Sequence, residues 1–225
     1  MNEVITGVYQ LPNSFVNMYL ILEPDGLTLI DAGVAKSGAK VVLEALEKLG
    51  RPPSDLKRIL ITHADPDHIG SVAGLKAATG AQIVIGRGEA AAMARGKPSR
   101  PVKNPVMRLM IDLMMKIQPL GADVELEDGA ELPVLGGLRV IASPGHTRGH
   151  VSYFSPRDRI LFAGDAMLVS KGKLSWSEGP FTQDYAEGLK TVRKLEALNP
   201  SVVCCGHGNP VRADTAKGER LEFPK

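Results

Sequence analysis

Aromatic side chains are scarce in this chain: they make up 4% of its 225 residues, with a single tryptophan among them. The hydrophobic content of 44% is still ample for a packed core, which small aliphatic side chains must then fill. Cysteine is limited to the adjacent pair Cys204 and Cys205. These two offer no disulfide framework. On a strand they point to opposite faces and lack the two-residue spacer of a thiol–disulfide motif, so both read as core residues. An excess of charge of one sign is missing too. Lysine and arginine total 27 against 25 acidic residues, a formal charge of +2, which argues against a dedicated nucleic-acid binder. No apolar run approaches a membrane span, and Met1 to Gly7 lacks the basic start and long apolar block of a secretory signal. A soluble, cytoplasmic protein is the expectation.

Histidine is also rare, and its placement is informative. The five, at 63, 68, 146, 150 and 207, all lie in Gly- or Asp-rich turns rather than on helical surfaces. The densest segment is Thr62-His63-Ala64-Asp65-Pro66-Asp67-His68-Ile69-Gly70, directly after the apolar run Ile59-Leu60-Ile61. Side chains at i and i+2 of an extended segment share a face, so His63 and Asp65 can converge at the strand mouth. Asp67 and His68 are neighbours and must diverge once the chain turns at Pro66. One ion could not easily take all four, whereas two ions about 3.5–4 Å apart could divide them. The segment therefore predicts a binuclear site with further ligands elsewhere.

Read in order, residues 4–10, 17–23 and 27–31 are short strands, with a hairpin turn at Glu23-Pro24-Asp25-Gly26. Helical spacing runs from Lys36 to Leu49 and stops at Gly50 and Pro52. Strand 58–62 delivers the histidine motif. A helix over 69–79 and a strand over 82–86 complete a crossover unit, so the sheet is mixed. Residues 87–103 carry Arg87, Arg95, Lys97, Arg100 and Lys103 among glycines and prolines and read as a basic surface loop. Val106, Leu109, Met110, Leu113, Met114 and Ile117 then keep helical spacing, with a second apolar line at Met107, Ile111 and Met115. Two such lines suit plain core packing under a loop or contact with a lid, a greasy substrate or a second copy of the chain, so a homodimer through 105–117 is one expectation. Strands follow near 123–127, 138–142, 151–154, 159–163 and 201–205, with a helix over about 184–197. Composition shows no boundary, so residues 1–225 read as one domain with a helical insertion at about 88–120.

Three more places put a ligand-type residue just beyond an apolar strand: Gly145-His146-Thr147-Arg148-Gly149-His150, Gly164-Asp165 and Gly206-His207-Gly208. Flanking glycines let the backbone turn sharply and approach an ion. Any one of these would pass as a turn or a cap. Together they form a set that argues for metal.

With these segments in view, the chain resembles the metallo-β-lactamase superfamily, whose signature is a His-x-His-x-Asp-His loop, a distant His, a bridging Asp and a last His. The resemblance runs from Asp31-Ala32-Gly33 to Gly206-His207-Gly208. It implies an α/β architecture, an αββα sandwich of two mixed β-sheets flanked by helices, and two divalent metal ions. Zinc is the usual expectation, with iron or manganese as alternatives. Carried over, His63, Asp65 and His146 would hold the first metal, Asp67, His68 and His207 the second, and Asp165 would bridge them. Asp31 would support the ligand loop, and His150 would stand behind the ligands rather than among them. The usual second His is Asp65 here, and harder oxygen ligation makes iron or manganese more competitive.

Two such ions would lower the pKa of bound water to supply a strong nucleophile and would polarise a carbonyl or phosphoryl group, and Asp67 or Asp165 could relay a proton to the leaving group. Three chemistries are compatible with this set. The first is hydrolysis of an ester, thioester or lactone bond in a small, fairly apolar substrate, as in the glyoxalase II-like and lactonase-like branches, and the apolar segment at 105–117 favours it. The second is a phosphodiesterase or ribonuclease using the basic loop at 87–103. The third is a non-hydrolytic di-iron redox or sensor protein. Only 18 residues follow His207, too few for a flavin-binding domain, so an electron donor would be a separate protein.

Overall fold

The structure of the protein is a computed structural model that describes residues 1–11, 16–100, 109, 117–176 and 182–224. The chain divides into two compact units, Met1–Glu125 and Leu126–Lys225, and each is described by itself.

The first unit opens as a meander, β1 (Asn2–Ile5), β2 (Val8–Leu11), β3 (Met18–Glu23) and β4 (Gly26–Ile30), paired antiparallel. The expected strand over 4–10 is thus two strands, because Gly7, at φ 78°, turns the chain between them. After helix α1 (Ser37–Lys48) the pairing changes sense: β5 (Leu56–Ile61) lies parallel to β4, and β6 (Gln82–Gly86) parallel to β5. The sheet is therefore mixed, and β7 (Val124–Leu126) completes its seven strands. Between β5 and β6 the helical signal is split into a single turn, α2 (Pro66–Ile69), and α3 (Val72–Thr79). Pro66 opens α2 at a position where its missing N–H costs nothing.

Leu20, Leu29, Ile59, Ile61, Ile83 and Ile85 face α1 and α3 in one core cluster. Their strand neighbours on the opposite face, including Ile21, Ile30, Leu60 and Val84, are buried as well. Burial on both faces explains why these strands read as continuous apolar runs.

Helix α4 (Arg87–Arg95) corrects the loop expected from residue 87 onward. Glu89-Ala90-Ala91-Ala92-Met93-Ala94 consists of strong helix formers, and their propensity outweighs the single Gly88. The apolar segment at 105–117, and with it the expected dimer surface and the middle of the helical insertion, lies outside the described residues except for Leu109 and Ile117.

The second unit holds a six-stranded sheet of β8 (Glu131–Leu132), β9 (Leu138–Ala142), β10 (Val151–Ser155), β11 (Ile160–Gly164), β14 (Val202–Cys205) and β15 (Val211–Arg212), in the order β15-β14-β11-β10-β9-β8. A separate hairpin joins β12 (Leu168–Ser170) and β13 (Lys173–Ser175). Helix α5 (Tyr185–Ala197) is capped by Asp184, whose side chain accepts the Glu187 N–H, and its Val192 and Leu195 pack with Leu161, Ala163 and Val203. The cysteines are both buried. Cys205 belongs to this cluster, and burial pushes its thiol well above the ordinary value, with the neighbouring Cys204 adding to the rise. That is the chemistry of core residues rather than reactive thiols. No helix among the described residues is long and apolar enough to cross a membrane.

Candidate metal centre

In the first unit the parallel pairing of β4 and β5 brings two strand ends together. Asp31 donates its N–H to Leu60 O (2.9 Å), and Ala32 donates to His68 O (2.8 Å), so the chain beyond β4 is tied to the histidine loop by its backbone. Gly70 is required here, because a Cβ would lie 2.4 Å from Ala35 N and 2.5 Å from Pro66 O. Asp31 itself has φ 57°, an uncommon conformation for a residue with a side chain.

That conformation carries the Asp31 carboxylate into a buried network. Oδ1 accepts the Thr62 N–H (2.9 Å), and Oδ2 accepts the Thr62 hydroxyl (2.9 Å) and lies 2.8 Å from His68 Nδ1. With Oδ2 accepting, His68 Nδ1 bears the proton, and in the neutral imidazole its Nε2 presents a lone pair. The single hydroxyl proton of Thr62 goes to Asp31. His63 Nδ1, 3.0 Å from Thr62 Oγ1, must therefore donate, which leaves a lone pair on its Nε2 as well. One carboxylate thus sets the tautomer of two imidazoles, and both are left ready to ligate a cation.

The carboxylates of the motif lie beside these nitrogens. Asp65 Oδ2 is 3.7 Å from His63 Nε2, and Asp67 Oδ2 is 3.8 Å from His68 Nε2. The two rings have centroids 4.0 Å apart. Ligands at about 2.0–2.1 Å from a tetrahedral ion are roughly 3.3–3.4 Å from each other, so small adjustments would place each pair on one ion. The divergence expected of Asp67 and His68 is not found: although they are consecutive residues of α2, Asp67 Oδ2 comes within 3.8 Å of His68 Nε2. The His63, Asp65 and His68 side chains are nearly sealed at 0–2% exposure, whereas that of Asp67 is 23% exposed.

In the second unit the ligand-type residues arrive singly. β11 and β14 run parallel, with Gly164 opposite Cys205, so Asp165 and His207 leave the same sheet edge side by side. Asp165 Oδ2 is 3.2 Å from His207 Nε2 and 3.7 Å from His146 Nε2, so one oxygen faces two imidazoles. His146 sits in the turn between β9 and β10. Gly145, at φ 139°, packs against α5 there so closely that a Cβ would lie 2.5 Å from Gly188 Cα.

His150 has a different task. Its Nε2 accepts the backbone N–H of Asp165 (3.0 Å), so its Nδ1 carries the proton and donates to Ser143 Oγ (2.8 Å). Ser143 Oγ lies 2.8 Å from Ser152 Oγ, which donates to Ala163 O (3.2 Å). The Asp165 N–H is an obligate donor and the Ala163 carbonyl an obligate acceptor, so the whole relay runs in one direction. His150 holds the backbone of Asp165, and its Nε2 is already engaged.

Two charged residues of the first unit stand at the site without being expected there from the sequence, where Arg100 reads only as part of the basic surface loop. Glu89 of α4, fully buried, accepts the Ala64 N–H at 2.8 Å and braces the loop between His63 and Asp65. Arg100 donates from Nε to Asp65 Oδ2 at 2.6 Å. The signal for Arg100 was Asp65 itself, since a carboxylate in a buried position needs a partner. Glu89, the one acid in an alanine-rich stretch directly after a strand, was the corresponding signal on α4.

Buried imidazoles with set tautomers beside carboxylates are a donor set that suits a divalent cation. Comparison with known proteins agrees. The family model described as the metallo-beta-lactamase superfamily matches residues 11–207. The probable metallo-hydrolase YflN of Bacillus subtilis (strain 168) is 30% identical over 244 aligned residues, covering 98% of this chain and 91% of that protein. A hydroxyacylglutathione hydrolase of Albidiferax ferrireducens is 34% identical over 174 residues, 75% of this chain and 54% of that enzyme, so the match spans about half of the enzyme. Among solved structures, a metallo-beta-lactamase family protein from Thermus thermophilus aligns with a TM-score of 0.73 at 25% identity, covering 93% of this chain and 76% of that one. Two mixed sheets flanked by helices, a family match over most of the length and a relative aligned almost end to end lead to one assignment: the chain belongs to the metallo-β-lactamase superfamily and is a metallohydrolase.

Proposed function

We propose that the protein hydrolyses a thioester, ester or lactone bond of a small, fairly apolar substrate at a binuclear metal centre. His63, Asp65 and His146 would hold one ion, Asp67, His68 and His207 the other, and Asp165 would be shared. The observation that carries this reading is the pair of tautomers set by Asp31, which turns both Nε2 lone pairs of the motif toward carboxylate oxygens. A shared role for Asp165 is supported by its single oxygen lying 3.2 Å and 3.7 Å from two imidazoles. When bound, two divalent ions, zinc being the usual choice in this family, lower the pKa of water and polarise the scissile bond.

The chain's own residues do the rest. His150 and the serine relay keep Asp165 in place through its backbone. Asp67 would pass a proton to the departing group, a role supported by its being the most exposed carboxylate of the motif, at 23%. The thioester preference draws on the hydroxyacylglutathione hydrolases among the relatives. The apolar preference draws on the sequence at 105–117, where Leu109 is 59% exposed.

Purified protein should contain about two metal ions per chain. Asp165→Ala and His146→Ala should abolish turnover in a panel of thioester, lactone and phosphodiester substrates, with the phosphodiester the poorest. A fully active preparation shown to be free of metal would overturn the proposal, and turnover of the phosphodiester alone would replace the substrate class.

A further inference from the structure

Asp65 stands where the family usually places a neutral histidine, and the substitution adds a negative charge to a site that is almost sealed from water. Its side chain is 2% exposed. Burying a lone carboxylate costs several kcal/mol, so such groups are kept hydrogen-bonded, paired with a cationic side chain or bound to a cation. Arg100 is such a partner: its side chain is 15% exposed and its Nε lies 2.6 Å from Asp65 Oδ2. A carboxylate has about four lone-pair positions, so one charged hydrogen bond from Arg100 leaves Asp65 able to face His63 as well.

We propose that Asp65 and Arg100 act as one ion pair that supplies the metal position beside His63 with the net charge of a neutral imidazole, which makes Arg100 a positioning residue that sets cation affinity there. The proposal rests on the reading that His63 and Asp65 hold a metal ion. Carboxylate and guanidinium sum to zero charge, as a neutral histidine does. Arg100 therefore offsets the extra attraction that a bare Asp65 would exert on a cation. Arg100 is 35 residues from Asp65 in sequence, so the pair exists only in the folded chain.

The test is a charge cycle read by zinc affinity in chelator competition and by zinc content after dialysis, with melting temperatures of the metal-free proteins confirming that each variant is folded. Arg100→Met, which removes the guanidinium charge from Asp65, should hold zinc about tenfold more tightly or better. Asp65→His, which leaves a guanidinium beside a neutral ring, should hold it about tenfold more weakly or worse. The double variant Asp65→His/Arg100→Met should return to within about threefold of the parent, because paired sites are not additive. Arg100→Lys keeps the charge without the fork and should also stay within about threefold of the parent. If Arg100→Met binds zinc like the parent, or if Arg100→Lys behaves like Arg100→Met, the charge-pair proposal is wrong while the metal reading stands. A folded parent that takes up no zinc, iron or manganese would defeat both. If Arg100→Met does not fold, the cycle is decided by Arg100→Lys and the double variant.

Discussion

The two units present the same kinds of ligand in opposite ways. In the first, four ligand-type side chains arrive within one hexapeptide, and charged groups brace them: Asp31 behind both imidazoles, Glu89 behind Ala64 and Arg100 against Asp65. In the second, His146, Asp165 and His207 arrive on separate loops and are braced by backbone and neutral groups, the longest chain being Asp165 N–H, His150, Ser143, Ser152 and Ala163 O. The difference follows from crowding. A single short segment must hold crowded side chains in fixed orientations, and charged, directional hydrogen-bond partners do that most firmly. Residues delivered one per strand end are already aimed by the sheet.

The largest expected effect tests this directly. Asp31→Asn keeps the shape and tolerates the positive φ, but its amide would donate toward His68 Nδ1 and push the ring proton onto Nε2. Metal affinity should fall about 10–100-fold, measured by chelator competition, with the fold retained. A variant that binds metal normally would show that the carboxylate does not set the tautomer.

Ser143→Ala should have a smaller effect and one of a different kind. It deprives the His150 Nδ1–H of its acceptor and breaks the relay to Ser152, a destabilisation of about 1–3 kcal/mol in chemical denaturation. Metal content should change little, since no ligand tautomer depends on it. If metal binding collapsed as in Asp31→Asn, the contrast between the two units would be lost.

The smallest effect belongs to a carboxylate of the first unit that lies away from the motif. Asp123 accepts the Ile83 N–H at 2.7 Å and pairs with Lys76. The Ile83 hydrogen bond first, and Lys76 second, hold its carboxyl below the ordinary value of 3.8. A lowered folded value means that the contribution is fully present above about pH 4 and fades as pH falls through the folded pKa. Asp123→Asn should therefore be less stable than the parent at neutral pH, by under about 1 kcal/mol because the pair is partly exposed. That gap should close in acid, and a gap that widened below about pH 4 would contradict the assignment.

Much of this was readable beforehand. The strands over 82–86 and 138–142 coincide with β6 and β9, and the helices near 36–49 and 184–197 match α1 and α5 to within a residue or so, because apolar periodicity is a local property. The short pieces β8, β12, β13 and β15 were not seen, since two or three residues carry too little pattern to identify. Helix α4 is hard to read locally because Gly86, Gly88 and Gly96 bracket its short alanine run with residues typical of loops.

What the sequence determined by itself is the kind of chemistry: histidines and aspartates placed just past apolar strands, with glycines to let the backbone turn, can be read from residue order alone. Tertiary structure decided the state of those groups. Asp31 reaches His68 across 37 residues and Arg100 reaches Asp65 across 35. His150 spends its ring nitrogen on the Asp165 N–H, 15 positions away. Which imidazole nitrogen carries a proton, and which carboxylate is already paired, depends on partners that meet only when the strands align, so no local pattern in the chain records it.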